Sequence, residues 1–314
     1  MAEQPLHQPG PALRGLRETG WRLIASSPLP PAVIVRGLPP CPELRAAKPP
    51  LTIEIVSHCW RYSHLLTYQL SSLVNHPPRH HRIRMTVCYC PEDPDTAALL
   101  DWFGGQCVPG VAWHWLPMPR KELMRRSIGR NRVALSTRAD WVWFTDCDLF
   151  FGEGALDALG DALTGRSDPL VFPREERVSP ILGDDAALLT RTRGDAAQAL
   201  WPVDTGAFDP LCHDKAIGPL QIMHGDLART YGYCDAIGFY QRPVTHWQKT
   251  FEDRTFRWLI GTQGTAIDVP GIFRIRHASK GRYHQSGLAR KIRMAIRRFQ
   301  HRYIRQERTP DNSQ

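Results

Sequence analysis

The sequence predicts an α/β fold built on a mostly parallel central sheet flanked by helices. Three observations predict it. From residue 51 to residue 146, apolar runs of strand length alternate with segments whose apolar residues fall at helical spacing. The runs are apolar almost throughout, as strands buried on both faces are. The balance of 42% hydrophobic to 23% charged residues is that of an ordinary globular chain able to bury a core.

The elements follow in order. Residues 1–50 are Pro-rich and poorly periodic, notably PLPPAVIVRGLPPCPELRAAKPP at 28–50, and read as an arm or linker. The domain is expected to begin at Leu51 with LTIEIVSHCW, a buried strand, followed by a helix in HLLTYQLSSLVNH. HRIRMTVCYC reads as the second strand, and PEDPDTAALLDWF turns helical in its latter half. VAWHWLPM is the third strand, after which RKELMRRSIGRNRVALSTR reads as one helix leading into the strand DWVWFTD at 140–146. No internal repeat interrupts this order. His76, His80 and His81 lie beside prolines and read as solvated loop residues.

Charge is concentrated rather than spread. Residues 276–308 hold 11 of the 40 lysines and arginines and one of the 31 acids, so the net +9 resides there and the remaining chain is close to neutral. Within it, Leu288, Ile292, Ile296, Phe299 and Tyr303 form one helical stripe, with Arg290, Arg293, Arg297, Arg298 and Arg305 flanking or opposite. Such a helix over residues 286–314 suits an anionic membrane surface, or docks on the core with its arginines solvated. Nucleic-acid binding is not expected, because one short basic helix without a recognisable module is not a nucleic-acid fold.

No run approaches a membrane span and no signal peptide opens the chain, so the expected location is cytoplasmic, peripheral on the inner face of a membrane if the basic helix meets lipid. The eight cysteines are scattered without a CxxC pair and read as reduced, mostly buried residues. The chain lacks the phosphate-loop, dinucleotide and nucleophile-elbow motifs.

The segment WVWFTDCDLFF at 141–151 carries the chemistry. Extended residues i and i+2 point to the same side, so Asp146 and Asp148 would present two carboxylates to one small volume. Ligands of open parallel sheets bind beyond the carboxyl ends of strands. A hard divalent cation would relieve the repulsion between the pair and bridge a diphosphate. The structural alternative is that Asp148 caps the next turn or helix.

GRNRVALSTRADWVWFTDCDLFF resembles the segment of family 2 glycosyltransferases in which an Arg-Asn on a helix precedes a hydrophobic strand ending in D-x-D. TFEDRTFRWLIGTQGTAIDVPGIFRIRHASKG is similar to that family's later region, where a Glu-Asp pair opens a helix and a His follows a short strand. The resemblance covers about residues 51–285 and implies a GT-A fold, with a Rossmann-like nucleotide-binding half and an acceptor-binding half. It implies a hexosyltransferase using a nucleotide-diphosphate sugar, a UDP-sugar ahead of a GDP-sugar, and a hydroxyl acceptor such as a glycan or lipid-linked molecule, with inversion.

Carried over by position, Asp146 and Asp148 match the ligands of Mn²⁺ or Mg²⁺, Asp148 the more direct. His277 matches a third ligand in some relatives, and an imidazole favours Mn²⁺. Asp253 matches the base that activates the acceptor, with Glu252 beside it; Thr250 to Asp253 equally fits a helix start. The nucleotide is expected against Ser57 to Arg61 and against Glu92 or Asp93, because the family's usual aspartate directly after the second strand is absent. Arg130 and Asn131 are placed to reach ribose or phosphate, and Cys147 is assigned to packing.

Aromatic residues at Trp201, Phe208, Tyr231, Tyr233, Phe239, Tyr240 and Trp247 suit either a sugar cleft or an ordinary core. Two other classes share these features: a catalytically silent GT-A-like scaffold at a membrane, and a sugar nucleotidyltransferase, whose basic Gly-rich loop is missing from VSHCWRYSHLL.

Overall fold

The computed structural model describes residues 11–246 and 251–278. The basic segment 286–314, together with Trp247 and Thr250, lies outside the described residues.

In the arm, α1 (Pro11–Ile24) and the short α2 (Pro31–Ile34) precede the domain. The predicted strands then appear as β1 (Thr52–Cys59), β2 (Arg82–Tyr89), β3 (Val111–Pro117) and β4 (Trp141–Phe144), all parallel to their neighbours in the order β3-β2-β1-β4. Helices α3 (Ser63–Asn75) and α4 (Pro94–Gly104) form the first two crossovers, which step outward from β1. The return across β1 to β4 runs through α5 (Arg120–Leu123) and α6 (Arg126–Ser136). Right-handed crossovers stepping in opposite directions put these helices on opposite faces of the sheet. Burial of Ile53, Ile55, Val56, Met85, Val87, Trp141, Trp143 and Phe144 between them makes the core.

Residues 120–136 are two helices, not the single one expected. Arg125 leaves helical geometry at φ −107°, ψ 90°, and its guanidinium stacks 4.9 Å from the Phe239 ring. The break restarts the chain so that α6 points its first turn at the end of β4.

After β4 come β5 (Leu149–Phe151), α7 (Ala155–Leu163), β6 (Leu170–Pro173), β7 (Glu175–Val178), α8 (Ala187–Thr190) and β8 (Asp209–Cys212). They are followed by β9 (Gln221–His224), α9 (Gly225–Tyr231), α10 (Glu252–Leu259), β10 (Thr265–Ile267) and β11 (Ile272–Arg274). β9 joins the main sheet antiparallel to β4 and β6, completing seven strands in the order β10-β6-β9-β4-β1-β2-β3. A second sheet has the order β5-β11-β7-β8.

The arm is docked along the domain. Trp21, Ile24 and Ala25 pack against the core, the Trp258 indole donates to the Leu29 carbonyl at 2.9 Å, and the Arg45 N–H donates to Asp226 at 3.1 Å. All eight cysteines are free, with Cys59, Cys88, Cys90, Cys147 and Cys234 buried. Among the described residues, no helix is long and apolar enough to cross a membrane.

Candidate active site

Strand order reverses between β1 and β4, and the crevice at their carboxyl ends is where an open α/β sheet takes ligands. Asp146 and Asp148 stand there, but not on the extended strand that their i, i+2 spacing suggests. β4 ends at Phe144, and residues 146–149 close a turn in which the Leu149 N–H donates to the Asp146 carbonyl at 3.2 Å. The turn lets the chain cross from the first sheet into the second.

Both sides of the turn are pinned. Gln69 of α3 donates its amide to the Asp146 carbonyl at 3.2 Å while accepting from the Ser57 hydroxyl at 2.5 Å. The Asp148 carbonyl accepts from the Ile275 N–H at 2.8 Å, just past β11. Cys147 is buried as expected; its hydrogen bond with Cys59 and its desolvation hold the thiol pKa well above the usual range. Ser57 is wholly buried and acts through Gln69, so the expected nucleotide contact is replaced by support of the aspartate turn.

The guanidinium of Arg126 joins the two acidic motifs. It donates to the Asp146 carboxylate at 2.7 Å and its Nε lies 3.2 Å from Glu252, whose side chain is only 2% exposed. Proximity to Asp146 and Glu252 outweighs burial and keeps Arg126 firmly protonated. One turn further along α6, Arg130 is fully buried, with a guanidinium nitrogen 3.9 Å from Asp146. It donates to the Tyr233 hydroxyl at 3.0 Å and the Gly218 carbonyl at 3.0 Å, and stacks on Phe144 and Tyr233.

Asn131 donates to Asp235 at 2.7 Å and accepts from the Tyr233 N–H at 2.8 Å. The expected reach of Arg130 and Asn131 to ribose or phosphate is therefore corrected: both point inward and hold the 232–235 loop against the sheet. Gly232 in that loop has φ 58°, and a Cβ on it would fall 2.1 Å from the Asn131 oxygen, so glycine is needed twice over.

Glu252 and Asp253 open α10, with Phe251 rather than Thr250 at the cap position and no side-chain cap bond. The Asp253 side chain is 30% exposed and lies 3.6 Å from Arg257 of the next turn. Its carbonyl accepts from Gln221 at 3.3 Å, and Gln221 also accepts from Tyr233. Arg257 is anchored in turn on Gln263 and the Ala216 carbonyl.

In the loops after β1 and β2, Asp93 is buried and accepts from the Arg61 N–H at 2.5 Å and the Thr96 hydroxyl at 2.7 Å. It holds Arg61 at φ 59°, a conformation that non-glycine residues seldom adopt. Glu92 and the Arg61 side chain are exposed, and Arg61 and Arg120 both stack on Trp60.

Sequence reasoning missed the packing of His58, which lies in the Ser57 to Arg61 stretch expected to face the nucleotide but is wedged so tightly on α6 that a Cβ at Gly129 would stand 2.4 Å from its Nε2. Burial, and then the charges of Arg130 and Arg126, hold its pKa well below the usual imidazole value. Arg126 was missed as well, although its i, i+4 spacing to Arg130 places both on one helix face. His81, expected in solvent, is buried and spans the Leu51 N–H at 3.2 Å and Asp161 at 3.1 Å.

The aromatic-rich segment divides. Tyr233, Tyr240 and Phe208 are core residues, and Tyr233 stacks on Phe256 at 4.5 Å.

His277 is buried, bridges to Leu182 and packs edge-on to Tyr62 at 5.3 Å. Among the described residues, no three His, Cys, Asp or Glu side chains converge as a metal cluster. The donor set nevertheless fits a hard cation: Mg²⁺-type sites use one or two carboxylates and take further oxygens from substrate phosphates and water.

No family model matches the chain, and no curated protein matches it. Among solved structures it is similar to the mannosyltransferase PcManGT from Pyrobaculum calidifontis in complex with GDP-Man and Mn²⁺. The identity is 14% and the TM-score 0.43, covering 96% of this chain and 73% of that chain.

Proposed function

We propose that this chain is a metal-dependent GT-A glycosyltransferase that moves a hexosyl group from a nucleotide-diphosphate sugar to a hydroxyl acceptor, with inversion. The observation that supports it best is the meeting of two motifs far apart in sequence: Arg126 links Asp146, at the switch point of the sheet, to Glu252, at the start of α10. A diphosphate-binding end and a base-bearing helix are thereby brought to one crevice.

Asp146 and Asp148 would hold Mn²⁺ or Mg²⁺. When bound, the ion supplies positive charge that stabilises the departing diphosphate. Asp253 is the base: its partly exposed carboxylate takes the acceptor's hydroxyl proton. The acceptor oxygen bonds to the anomeric carbon, and the bond to the diphosphate breaks with its electron pair leaving on the phosphate oxygen. Glu252, sealed against Arg126, positions the helix rather than touching substrate.

Exposed Arg61 and Glu92 are the residues left to meet the nucleotide. The expected preference for UDP over GDP has no support in the geometry, since Asp93 is spent on the loop. A cytoplasmic enzyme meeting an anionic membrane through residues 286–314 completes the proposal, and with it a glycan or lipid-linked acceptor. Liposome co-sedimentation with and without that segment tests this part, and equal pelleting would remove it.

The test of the whole reading is a binding and hydrolysis screen of UDP-, GDP- and other nucleotide sugars with Mn²⁺, Mg²⁺ or chelator. Asp148→Ala is expected to abolish metal-dependent donor binding. Asp253→Asn is expected to keep donor binding and lose about a thousandfold in transfer. Absence of donor binding under every metal would replace the enzyme by a catalytically silent module of the same fold.

A further inference from the structure

We infer that Arg126 is a displaceable counter-ion that makes metal and diphosphate bind cooperatively: it occupies Asp146 until a divalent cation arrives, and then turns to the incoming diphosphate. The inference rests on the transferase reading above and concerns how that same site loads.

Among the described residues, the guanidiniums of Arg126 and Arg130 neighbour Asp146, and they differ in freedom. Arg130 is fully buried and fixed on Tyr233, the Gly218 carbonyl and two rings. Arg126 has a 23% exposed side chain at the first helical residue of α6, just beyond the break at Arg125. Of the two, only Arg126 has a path outward by side-chain rotation. Its second anchor, Glu252, keeps it beside the crevice when Asp146 releases it.

Charge decides the direction of the effect. Among the described residues, Asp146, Asp148, Glu252 and Asp253 bring four negative charges to this crevice, and Arg126, Arg130 and Arg257 bring three positive ones. A divalent cation entering alone must compete with Arg126 for the Asp146 carboxylate and turns the local balance positive. A nucleoside diphosphate entering alone meets the carboxylates. When cation and diphosphate enter together their charges offset, and the displaced guanidinium gains phosphate oxygens suited to its planar fork. Each ligand thus removes the other's penalty, which is positive coupling and must be reciprocal.

The experiment measures Mn²⁺ binding to the full chain by the electron paramagnetic resonance signal of free Mn²⁺, alone and with UDP or GDP. Nucleotide binding is measured with and without Mn²⁺ by calorimetry. Wild-type protein is expected to bind Mn²⁺ alone weakly and to show strong mutual enhancement. Arg126→Gln is expected to bind Mn²⁺ alone about tenfold more tightly while the mutual enhancement falls about tenfold, the scale of one opposing charge removed from a partly exposed site. Arg126→Lys, which keeps the charge, should return Mn²⁺-alone affinity toward the wild-type value.

These opposite signs separate the inference from a structural role, which would weaken both ligands together. Enhancement in wild type that Arg126→Gln leaves unchanged would overturn the counter-ion role while sparing the transferase reading. Wild-type binding of Mn²⁺ and nucleotide without mutual enhancement would overturn it too, and needs no variant to fold. Mn²⁺ binding by neither protein, with or without nucleotide, would overturn both.

Discussion

The two halves of the domain are held together by different means. In residues 52–144 the parallel strands β1, β2 and β3 are 8, 8 and 7 residues long, and β1 and β2 pair along their whole length. Beyond residue 145, the second sheet is made of strands of 3 or 4 residues, too short to hold by their own ladders. Besides the β4–β9 ladder, what ties this half to the first is a set of side chains reaching out from α3 and α6, among them Ser72, whose hydroxyl accepts from the Phe151 N–H of β5 at 3.1 Å. Thr67 and Tyr68 of α3 bond the carbonyls of Ala197 and Leu188, while Arg130 and Asn131 of α6 fasten the 232–235 loop. The first half folds on a local pattern; the second is templated on it. The candidate site lies along the seam.

The strongest way to break this comparison is to remove the buried cation that crosses the seam. Arg130→Ala leaves the Tyr233 hydroxyl, the Gly218 carbonyl and the Asp146 carboxylate without their buried partner, which is expected to cost about 3–5 kcal/mol. Hydrogen exchange should lose protection in residues 218–240 and 251–260 while β1 and β2 stay protected. Uniform loss across all four parallel strands would show that the halves are one cooperative unit and that templating is the wrong description.

Acid should open the same seam at another point. His64 on α3 lies beside the chain that follows α8: its backbone carbonyl accepts from the Thr192 hydroxyl at 2.7 Å. Burial first, then the charges of Arg193 and His277, lower its pKa to about 4. The folded pKa lies below the unfolded value, so folded His64 refuses a proton that the unfolded chain accepts. Its contribution to stability is full above pH 6.5 and is lost as pH falls from 6.5 to about 4, by up to about 3 kcal/mol. Desolvation lowers the pKa values of His58, His114 and His224 in the same direction. The expected outcome is a melting temperature that drops on acidification through this window, less steeply in His64→Gln, with residues 187–193 losing protection first. An unchanged slope in the variant would remove His64 from the account.

The same division explains what was legible in the sequence. β1 to β4 were readable because each is a compact apolar run whose pairing only extends a local preference. The second sheet was not: the residues of β7, EERV, and of β8, DPLC, carry no strand pattern, and their pairing with each other and with β11 is long-range. The break at Arg125 was hidden because 120–128 is a run of good helix formers, and a ring from the second half, Phe239, draws the residue out. At the site, the acidic motifs were visible as residue types. Their geometry was not, because the 146–149 turn depends on Gln69 and Ile275, which no local spacing announces. Arg130 and Asn131 were recognised by position and misjudged in role, since burial is decided by what packs over α6 from α9 and the 232–235 loop.

Asn131 gives the finest test of that seam. Its side chain makes two bonds to one loop, accepting from the Tyr233 N–H and donating to Asp235, and carries no charge. Asn131→Ala removes both, leaving a buried N–H to find another partner, with an expected cost of about 1–2 kcal/mol. Cys234, in the same loop at φ 56°, has its thiol donating to the Glu252 carbonyl at 3.5 Å. Loosening the loop therefore acts on the helix that bears Asp253, while the aspartate turn is pinned independently by Gln69. Because the β4–β9 ladder is untouched by the substitution and the loop reaches α10 through side chains, the variant should bind donor and Mn²⁺ as wild type does and lose several-fold in transfer rate, a kcat effect without a donor KM effect. A change in donor affinity instead would mean that α6 transmits strain to Asp146 as a rigid body, and the two sides of the seam would have to be treated as one mechanical element.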